Sequence, residues 1–510
     1  YWEIQAELAS KGTALRSYNF LATLISINDK KAEIKTKEQA DEIVLELRKT
    51  QYQVKSVETS DLRKFPYPPF TTSTLQQAAS NLFGWAAKQT MRVAQHLYEE
   101  GLITYHRTDS LNLATQAVSM CRDFIKKEYG VTYLPDSPKF YKTKSKVAQE
   151  AHEAIRPTDA TMQQCNNETM QRDEERLYDL IWKRFVACQM NEAVFEQTKV
   201  TVDASAVIPS EVEGSLANAS DGADKLRDSS QAQNDKITYV FRSVGSVLKF
   251  DGWKKLYLAM KQSNNETIDD DTVNILPPLV KDELLKLLQL LPSQHFTEPP
   301  ARFNEASLIK ALEEKGIGRP STYAPIITTI QARQYVEKAE KKFSPTVLGE
   351  TVNDFLVKNF PKELDYDFTA KMEDDLDEIA NGKKQWQPVL AEFYGPFSKK
   401  VEEVSKDAAR AQVPVEKTNE KCEKCSGAMV IRLGRFGKFI ACSNFPKCKN
   451  TKPLVVKTDL KCPKCGGDIV LRKTKRGRHF YGCQNYPKCS FAAWKKEEIV
   501  SPKATPLQSR

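Results

Sequence analysis

The two residues of this chain best suited to phosphodiester chemistry are Tyr105 and Arg107, within the segment GLITYHRTDS. A tyrosine phenol can attack a phosphodiester as a nucleophile, and the planar guanidinium of an arginine can hold phosphate oxygens. Because a free phenol has a pKa of about 10, a neighbouring cation helps by lowering that pKa and by stabilising charge that develops on the phosphate. On spacing alone a packing role is the alternative, since the chain has 18 tyrosines.

A short strand is predicted to carry this pair. Residues 102–105 are apolar, β-branched and aromatic, and they follow a glycine that ends a predicted helix. Side chains alternate between the two faces of a strand, so Ile103, Tyr105 and Arg107 would share one face. His106 would point away from them, towards the opposite face.

Two further groups of polar side chains are predicted near the pair. Apolar residues at helical spacing over residues 86–100 place Gln95 and Glu99 one turn apart on one helix face, just before the tyrosine. His152 adjoins an acid and lies close to Arg156, and histidine can contact a phosphate or move a proton near neutral pH. The alternatives are solvated surface residues for the first group and a hydrogen-bonded structural histidine for the second.

Eight of the eleven cysteines form two sets of four with nearly the same spacing. Each set has a CxxC pair followed, after 16 or 17 residues, by two cysteines separated by five. Two such pairs closing one tetrahedral thiolate site is the pattern of structural Zn²⁺, and it favours a reducing cytosol over a disulfide framework. We therefore predict two zinc ribbons, with the ligands Cys422, Cys425, Cys442 and Cys448 in the first and Cys462, Cys465, Cys483 and Cys489 in the second.

The ribbon region also has the composition of a nucleic-acid-binding surface. Residues 421–500 contain 19 lysines and arginines against 5 acidic residues, and with eight thiolates and two Zn²⁺ ions counted the region still carries about +10. Cations alternate with aromatic residues, notably Arg435 and Phe436 in the first ribbon and Arg478 and Tyr481 in the second. This pattern is typical of a surface on which nucleic-acid bases stack on the aromatic rings while the cations contact the phosphates. The alternative is a basic tail that only increases solubility.

The order of predicted elements indicates an α+β chain of several domains. Arg302 and Arg319 each stand at the entrance of a predicted helix, where backbone N–H groups also favour anions. The pattern of helix, glycine turn, helix and two strands around them suggests a winged helix, with a helical hairpin as the alternative. No run of 18 apolar residues predicts a membrane span. The predicted domains are a β-rich domain of 1–64 and 193–278 with a disordered insertion at 204–235, a tyrosine-bearing domain of 65–192, a helical winged-helix-like domain of 279–405, a linker of 406–420, and zinc ribbons of 421–455 and 456–500.

Four motif regions, in the same order, resemble those of the bacterial type IA DNA topoisomerases. They are GLITYHRTDS, AHEAIRPT, the stretch from Pro299 to Gln331 that contains GIGRPSTY, and the tandem four-cysteine ribbons. The resemblance covers nearly the whole chain outside 204–235. One small departure is His106, where the family usually has methionine or proline. The resemblance implies a toroidal core, made of a β-rich arch and helical winged-helix-like domains, followed by the two ribbons.

The resemblance also implies a reaction. Tyr105 would form a transient 5′-phosphotyrosyl bond to single-stranded DNA while another strand passes, which relaxes negatively supercoiled DNA without ATP. Arg107 would hold the scissile phosphate and His152 would bind it nearby. The remaining predicted DNA-binding residues are Gln95, Glu99, Asp109 and Arg156 around the site and Arg302 and Arg319 in the DNA path. A monomer in the bacterial cytoplasm at the nucleoid is expected, with RNA polymerase a candidate partner.

The family's Toprim domain, whose acidic motif binds Mg²⁺, has no counterpart in this sequence. We therefore expect the chain to be the C-terminal portion of the enzyme, with the Mg²⁺ ligands outside it. Such a chain would bind single-stranded DNA and fail to relax supercoils alone. The alternatives are a non-catalytic zinc-ribbon protein that binds single-stranded nucleic acid and a decatenase of the topoisomerase III kind, although two ribbons favour relaxation.

Overall fold

A computed structural model describes most of the chain, and the described residues fall into two compact units. They are 1–10, 19–142, 153–162, 170–206, 237–257, 275–407, 416–434, 437–453, 456–473, 479–494 and 496–500. The first unit comprises residues 1–349 and 356–407, and the second comprises 350–355 and 408–510. Over these described ranges, the helices are all too short or too polar to cross a membrane.

A seven-stranded antiparallel sheet forms the β-rich part of the first unit. Its strands are β1 Trp2–Ala9, β2 Asn19–Ile27, β3 Lys30–Lys31, β4 Thr50–Lys64, β5 Ala193–Ala206, β6 Thr238–Phe250 and β7 Leu284–Gln294. The strand order is β1-β7-β4-β5-β6-β2-β3, and a further pairing of β1 with β2 closes six strands into a ring. Helix α1, Lys37–Leu47, is capped by Thr36, whose side chain accepts from the backbone N–H of Gln39. Apolar side chains such as Leu8, Val54 and Phe241 are fully buried in this part of the core.

Two predictions about the β-rich part need correction. Residues 279–405 were predicted to be helical, but β7 pairs with β1 over most of its length. Its leucine-rich sequence has high helix propensity, which the long-range strand pairing outweighs. The disordered insertion was predicted to begin at residue 204, whereas β5 continues to Ala206 in register with β4. The remainder of that insertion, 207–235, lies outside the described residues.

Four helices form the tyrosine-bearing part, and their apolar faces pack around Trp182 and Phe185, both fully buried. They are α2 Thr72–Phe83, α3 Ala87–Glu99, α4 Thr115–Glu128 and α5 Arg172–Cys188. Thr71 is the N-cap of α2 and makes a reciprocal capping box with Thr74.

The predicted order of helix, glycine turn, helix and two strands is confirmed. Helix α6, Glu305–Glu314, is capped by Asn304 and is followed by α7 Tyr323–Ala332 and by the paired strands β8 Val336–Ala339 and β9 Lys342–Pro345. Gly316 and Gly318 both have positive φ in the turn between the helices, a conformation in which glycine avoids steric cost. Helices α8 Val347–Asn359, α9 Tyr366–Ala380 and α10 Trp386–Asp407 follow.

The second unit contains two four-stranded antiparallel sheets, in the positions predicted for the zinc ribbons. The first consists of β10 Glu416–Lys421, β11 Ala428–Gly434, β12 Gly437–Cys442 and β13 Thr451–Pro453. The second consists of β14 Val456–Lys461, β15 Asp468–Lys473, β16 His479–Cys483 and β17 Ala492–Ala493, with the short helix α11 Glu497–Val500 after it. The predicted linker of 406–420 is too long, because α10 reaches residue 407 and β10 begins at 416.

Candidate active site and zinc centres

Tyr105 lies on a loop, and the predicted strand over residues 102–105 is wrong. Ile103 makes an isolated β-bridge with Pro157 and is buried in the core. Tyr105, predicted to share a face with Ile103, is instead 47% exposed. The chain therefore turns after a single bridged residue, which brings the phenol to the surface while Ile103 anchors the loop.

One side of the loop is held by the segment that contains Arg156. The hydroxyl of Thr104 donates to the carbonyl oxygen of Ala154 at 2.7 Å and accepts from the backbone N–H of Arg156 at 3.0 Å. The backbone N–H of Thr104 also donates to the carbonyl oxygen of Arg156 at 2.9 Å. The residue before the tyrosine is thus fixed by both its main chain and its side chain.

The other side of the loop is held by the first residue of α2. The hydroxyl of Thr72 donates to the carbonyl oxygen of His106 at 2.8 Å and accepts from the backbone N–H of Thr108 at 2.9 Å. The backbone N–H of Thr72 donates to the carbonyl oxygen of Thr108, also at 2.9 Å. Because Thr72 is fully buried, these bonds are shielded from competition by water.

The ring of Tyr105 is bordered by two other rings. Its centroid is 5.2 Å from that of Tyr98, on α3, and 5.2 Å from that of His106, both in edge-to-face geometry. Because the buried His106 ring, only 3% exposed, contacts the ring of Tyr105, the prediction that its side chain points away from the tyrosine is wrong. Burial lowers the pKa of His106, and so does the neighbouring guanidinium of Arg107, while Glu99 acts in the opposite direction.

The polar residues predicted around the tyrosine are only partly free to meet a ligand. Arg107 is exposed, as an arginine that binds phosphate must be, and Asp109 is half-buried. Gln95 and Glu99 are exposed on α3, and the Gln95 amide donates to the Glu99 carboxylate at 2.8 Å. His152 lies outside the described residues.

The three other predicted arginines of the first unit differ in their partners. Arg156 forms an ion pair with Glu153 at 2.7 Å, and its side chain is 12% exposed. Arg302 is exposed just before α6. Arg319 has its guanidinium 2.7 Å from a carboxylate oxygen of Asp377, on α9. Of the three, Arg302 is the most accessible to a phosphate.

Three residues that shape this site were not identified from the sequence. They are Thr72, Tyr98 and Glu313, whose carboxylate accepts from the buried Ser73 hydroxyl at 2.7 Å and whose pKa is raised by burial. Tyr98 could have been suspected, because it stands at the end of a predicted helix just before the tyrosine loop. Thr72 and Glu313 act across long sequence separations, and no local pattern marks them.

The eight ribbon cysteines converge in two groups of four, as predicted. In the first group the sulfur of Cys422 is 3.7 Å from that of Cys448, and the sulfur of Cys425 is 3.3 Å from that of Cys442. The second group repeats these distances, with Cys462 and Cys489 at 3.7 Å and Cys465 and Cys483 at 3.3 Å. Ligands at about 2.3 Å in a tetrahedron around Zn²⁺ would lie about 3.8 Å apart, so both groups fit Zn²⁺.

An arginine lies over an exposed aromatic ring at matching positions of the two ribbons. The guanidinium of Arg432 is 5.6 Å from the ring centroid of Phe445, and that of Arg472 is 5.5 Å from the ring of Tyr486. Phe445 is 53% exposed and Tyr486 is 62% exposed. Of the ribbon residues predicted to bind DNA, Tyr481 is half-buried, whereas Arg435, Phe436 and Arg478 lie outside the described residues.

Comparison with known proteins identifies the same two parts. Residues 1–391 match a family described as DNA topoisomerase, and residues 419–457 and 459–498 each match the topoisomerase DNA binding C4 zinc finger. The chain is 39% identical over 483 residues to DNA topoisomerase 1 of Rickettsia bellii, a match that covers 89% of this chain and 55% of that protein. It is 42% identical over 466 residues to DNA topoisomerase 1 of Pseudomonas aeruginosa, with 89% of this chain and 48% of the relative covered.

A solved structure gives the same result at the level of the fold. Full-length topoisomerase I from Thermotoga maritima matches with a TM-score of 0.60 and 28% sequence identity, over 90% of this chain and 68% of that chain. The chain spans about half the length of the curated relatives it matches. The exposed tyrosine on its braced loop, the two four-cysteine centres and these similarities agree, and the chain belongs to the bacterial type IA DNA topoisomerase I family.

Proposed function

We propose that Tyr105 is the nucleophile of a type IA DNA topoisomerase that relaxes negatively supercoiled DNA. Its phenol oxygen attacks a phosphodiester of single-stranded DNA and loses its proton as the new oxygen–phosphorus bond forms. The bond from phosphorus to the 3′ oxygen breaks, and that oxygen leaves as a 3′ hydroxyl. After strand passage the 3′ hydroxyl attacks the phosphotyrosine and restores the strand. The observation that carries the proposal is an exposed phenol on a loop braced from both sides.

The residues around Tyr105 have distinct proposed roles. Arg107 holds the scissile phosphate, which its exposure permits, and His152 binds the same phosphate. Gln95, Glu99 and Asp109 border the bound strand. The ester stores the energy of the cleaved bond, so ATP is not required. Mg²⁺ is expected to assist the reaction, through ligands that this proposal does not assign.

The arginines further from the tyrosine are proposed to guide DNA to it. Arg302, exposed ahead of α6, contacts backbone phosphates. Arg319 and Arg156 would reach DNA after exchange of their acidic partners, Asp377 and Glu153, for phosphate.

The ribbons are proposed to bind single-stranded DNA through stacking and phosphate contacts. Phe445 and Tyr486 each present one free ring face, since an arginine covers the other. Base stacking on such a ring contributes about 1–3 kcal/mol, and the basic residues around it, with Arg435, Phe436, Arg478 and Tyr481 among the proposed contacts, bind the backbone. A cytoplasmic, nucleoid-associated monomer, with RNA polymerase as a candidate partner, remains part of this proposal.

Trapping the covalent intermediate tests the catalytic role. The full-length protein is incubated with end-labelled single-stranded DNA and Mg²⁺, denatured, and examined for DNA-linked protein. We expect an adduct in the wild type and none in Tyr105→Phe. Tyr67→Phe is the matched control, because Tyr67 is also 47% exposed and lies in the same predicted domain, residues 65–192. An adduct that persists in Tyr105→Phe would favour the non-catalytic alternative, and decatenation without relaxation would favour the topoisomerase III kind.

A further inference from the structure

Three aromatic rings meet where the tyrosine loop leaves α3. The rings of Tyr98 and His106 are each 5.2 Å from that of Tyr105, and they are 5.8 Å from each other. Tyr105 and Tyr98 are both exposed, whereas His106 is buried at the base. The half-exposed ring of Tyr105 is therefore contacted on two sides by other rings, and each edge-to-face contact restricts its orientation.

Histidine is an unusual residue at the buried position of this three-ring contact. Neither of its ring nitrogens has a hydrogen-bond partner among the described residues, although a neutral imidazole carries one donor and one acceptor. Leaving buried polar atoms unpaired is unfavourable, so a native structure that does so calls for an explanation. The main chain of this residue is fixed in place, because the carbonyl oxygen of His106 accepts a hydrogen bond from the Thr72 hydroxyl.

The charged groups that face His106 come from two elements. Arg107, on the same loop, disfavours a second positive charge, and Glu99, on α3, favours one. The first residue of α2, Thr72, offers only an uncharged hydroxyl, and the two ring neighbours are phenols. Burial and Arg107 together outweigh Glu99 and keep the imidazole neutral.

We propose that Tyr98 and His106 are positioning residues for the cleavage reaction, forming an aromatic seat that fixes the phenol ring of Tyr105 for attack while His106 remains an uncharged imidazole. The inference rests on the proposed function, since it gives that tyrosine its orientation. Holding a nucleophile near its attack geometry accelerates a reaction without strengthening substrate binding. A protonated His106 would repel Arg107 and draw in water, which would loosen the seat.

Substitutions that keep the aromatic ring, compared with substitutions that remove it, distinguish a positioning role from a general effect on stability. In the full-length protein, Tyr98→Ala and His106→Ala should slow single-turnover adduct formation on saturating single-stranded DNA by roughly two- to tenfold each. Tyr98→Phe and His106→Phe keep the rings and should retain the rate. Affinity for the same DNA should not change in any of the four. Because Tyr98 is exposed, its alanine variant tests the proposal even if His106→Ala fails to fold.

The dependence on pH gives a second signature. The wild-type rate should fall on the acid side of the ordinary histidine pKa, about 6.5, and that fall should be absent in His106→Phe. Alanine variants as fast as the wild type, or an acid limb that persists in His106→Phe, would overturn the proposal.

A third readout does not depend on activity. With 3-fluorotyrosine incorporated, the Tyr105 fluorine signal is identified by its loss in Tyr105→Phe, and its transverse relaxation rate reports ring mobility. The rate should fall in Tyr98→Ala and His106→Ala and stay unchanged in His106→Phe. An unchanged relaxation rate in both alanine variants refutes the seat whatever the cleavage assay shows. A missing adduct in the wild type counts against the proposed function alone and leaves the fluorine signal to decide on the seat.

Discussion

The imidazole of His106 is a single group whose protonation should affect stability as well as cleavage. Its pKa in the folded protein lies below the ordinary value because of burial and of Arg107. The unfolded chain therefore takes up this proton first as the pH falls through about 6.5, which favours unfolding. Above that pH both states hold a neutral imidazole and no stability is lost.

We accordingly expect the free energy of unfolding of the wild type to fall more between pH 7.5 and pH 5.5 than that of His106→Phe. Urea denaturation of both proteins at the two pH values measures this difference. The carboxylates titrate in the same way in both proteins, so their contribution cancels when the two losses of unfolding free energy are compared. Equal losses in the two proteins would show that folding does not disfavour the protonated imidazole, and a smaller loss in the wild type would show that folding favours it; either result would contradict the lowered pKa of His106.

Arg319 is a second residue whose neighbours set its behaviour. Its guanidinium is bonded to Asp377 at 2.7 Å, so DNA must compete with that carboxylate. Asp377→Asn should leave the cation with the longer ion-pair contact to Asp374, at 3.5 Å, and it should raise affinity for single-stranded DNA by roughly threefold at low salt, with a smaller gain at high salt. Asp375→Asn is the matched control, because it removes the same charge from the same helix while its partner is Lys384. Equal gains from both substitutions, measured by fluorescence anisotropy, would exclude a specific role for Arg319.

At the scale of elements, α2 stabilises the tyrosine loop through the backbone N–H and the hydroxyl of Thr72. Thr72→Val would leave the carbonyl oxygen of His106 and the N–H of Thr108 without their partner. Each unpaired buried group costs about 1–3 kcal/mol, so we expect about 2–6 kcal/mol of lost unfolding free energy together with slower adduct formation. Thr72→Ser keeps the hydroxyl and serves as the control in urea denaturation. If the valine and serine variants were equally stable, the braced loop would not depend on the Thr72 hydroxyl.

Each zinc ribbon is an element whose fold should depend on its own metal. Cys442→Ser removes one ligand from the first group and leaves the second group intact. Small ribbons of this kind draw about 10–16 kcal/mol from Zn²⁺ binding, so the sheet β10–β13 should unfold while β14–β17 persists. Atomic absorption should find the zinc content reduced from two ions to one, and Cys483→Ser should give the mirror result. Loss of both ions from either variant would show that the two ribbons fold as one.

Elements that depend on local signals could be predicted from the sequence, and those set by distant partners could not. The glycine turn of the winged-helix part and the cysteine spacing are both local, and the structure confirms them. The strand β7 resembled a helix because only its pairing with β1, about 280 residues earlier in the chain, makes it a strand.

The same division applies within the candidate site. The motif singled out Tyr105 and Arg107 as the candidate pair, and both side chains are exposed, while their roles stay predictions. It gave the wrong direction for His106, because a loop bridged at Ile103 does not keep the alternation of a strand. The contact of Arg319 with a carboxylate 58 residues later is equally beyond local reasoning.

At the scale of the whole molecule, the stacking rings proposed to bind DNA and the tyrosine proposed to cleave it belong to different compact units. Tyr105 lies in the first unit, and the exposed rings of Phe445 and Tyr486 lie in the second. Interactions that bind substrate and transition state equally change affinity, whereas the nucleophile changes only the chemical step. The two effects should therefore separate by substitution.

The double variant Phe445→Ala with Tyr486→Ala should weaken single-stranded DNA binding at least about tenfold, because each lost base stack costs about 1–3 kcal/mol. Its adduct yield at saturating DNA should equal that of the wild type. Tyr105→Phe should do the reverse, with unchanged affinity and no adduct. Exchanging the rings, Phe445→Tyr with Tyr486→Phe, retains both stacks and should leave affinity intact. Because zinc loss would also weaken binding, zinc content must stay at two ions in each variant. If the double alanine variant lost adduct yield even at saturation, the ribbons would take part in cleavage itself, and the division between the units would not hold.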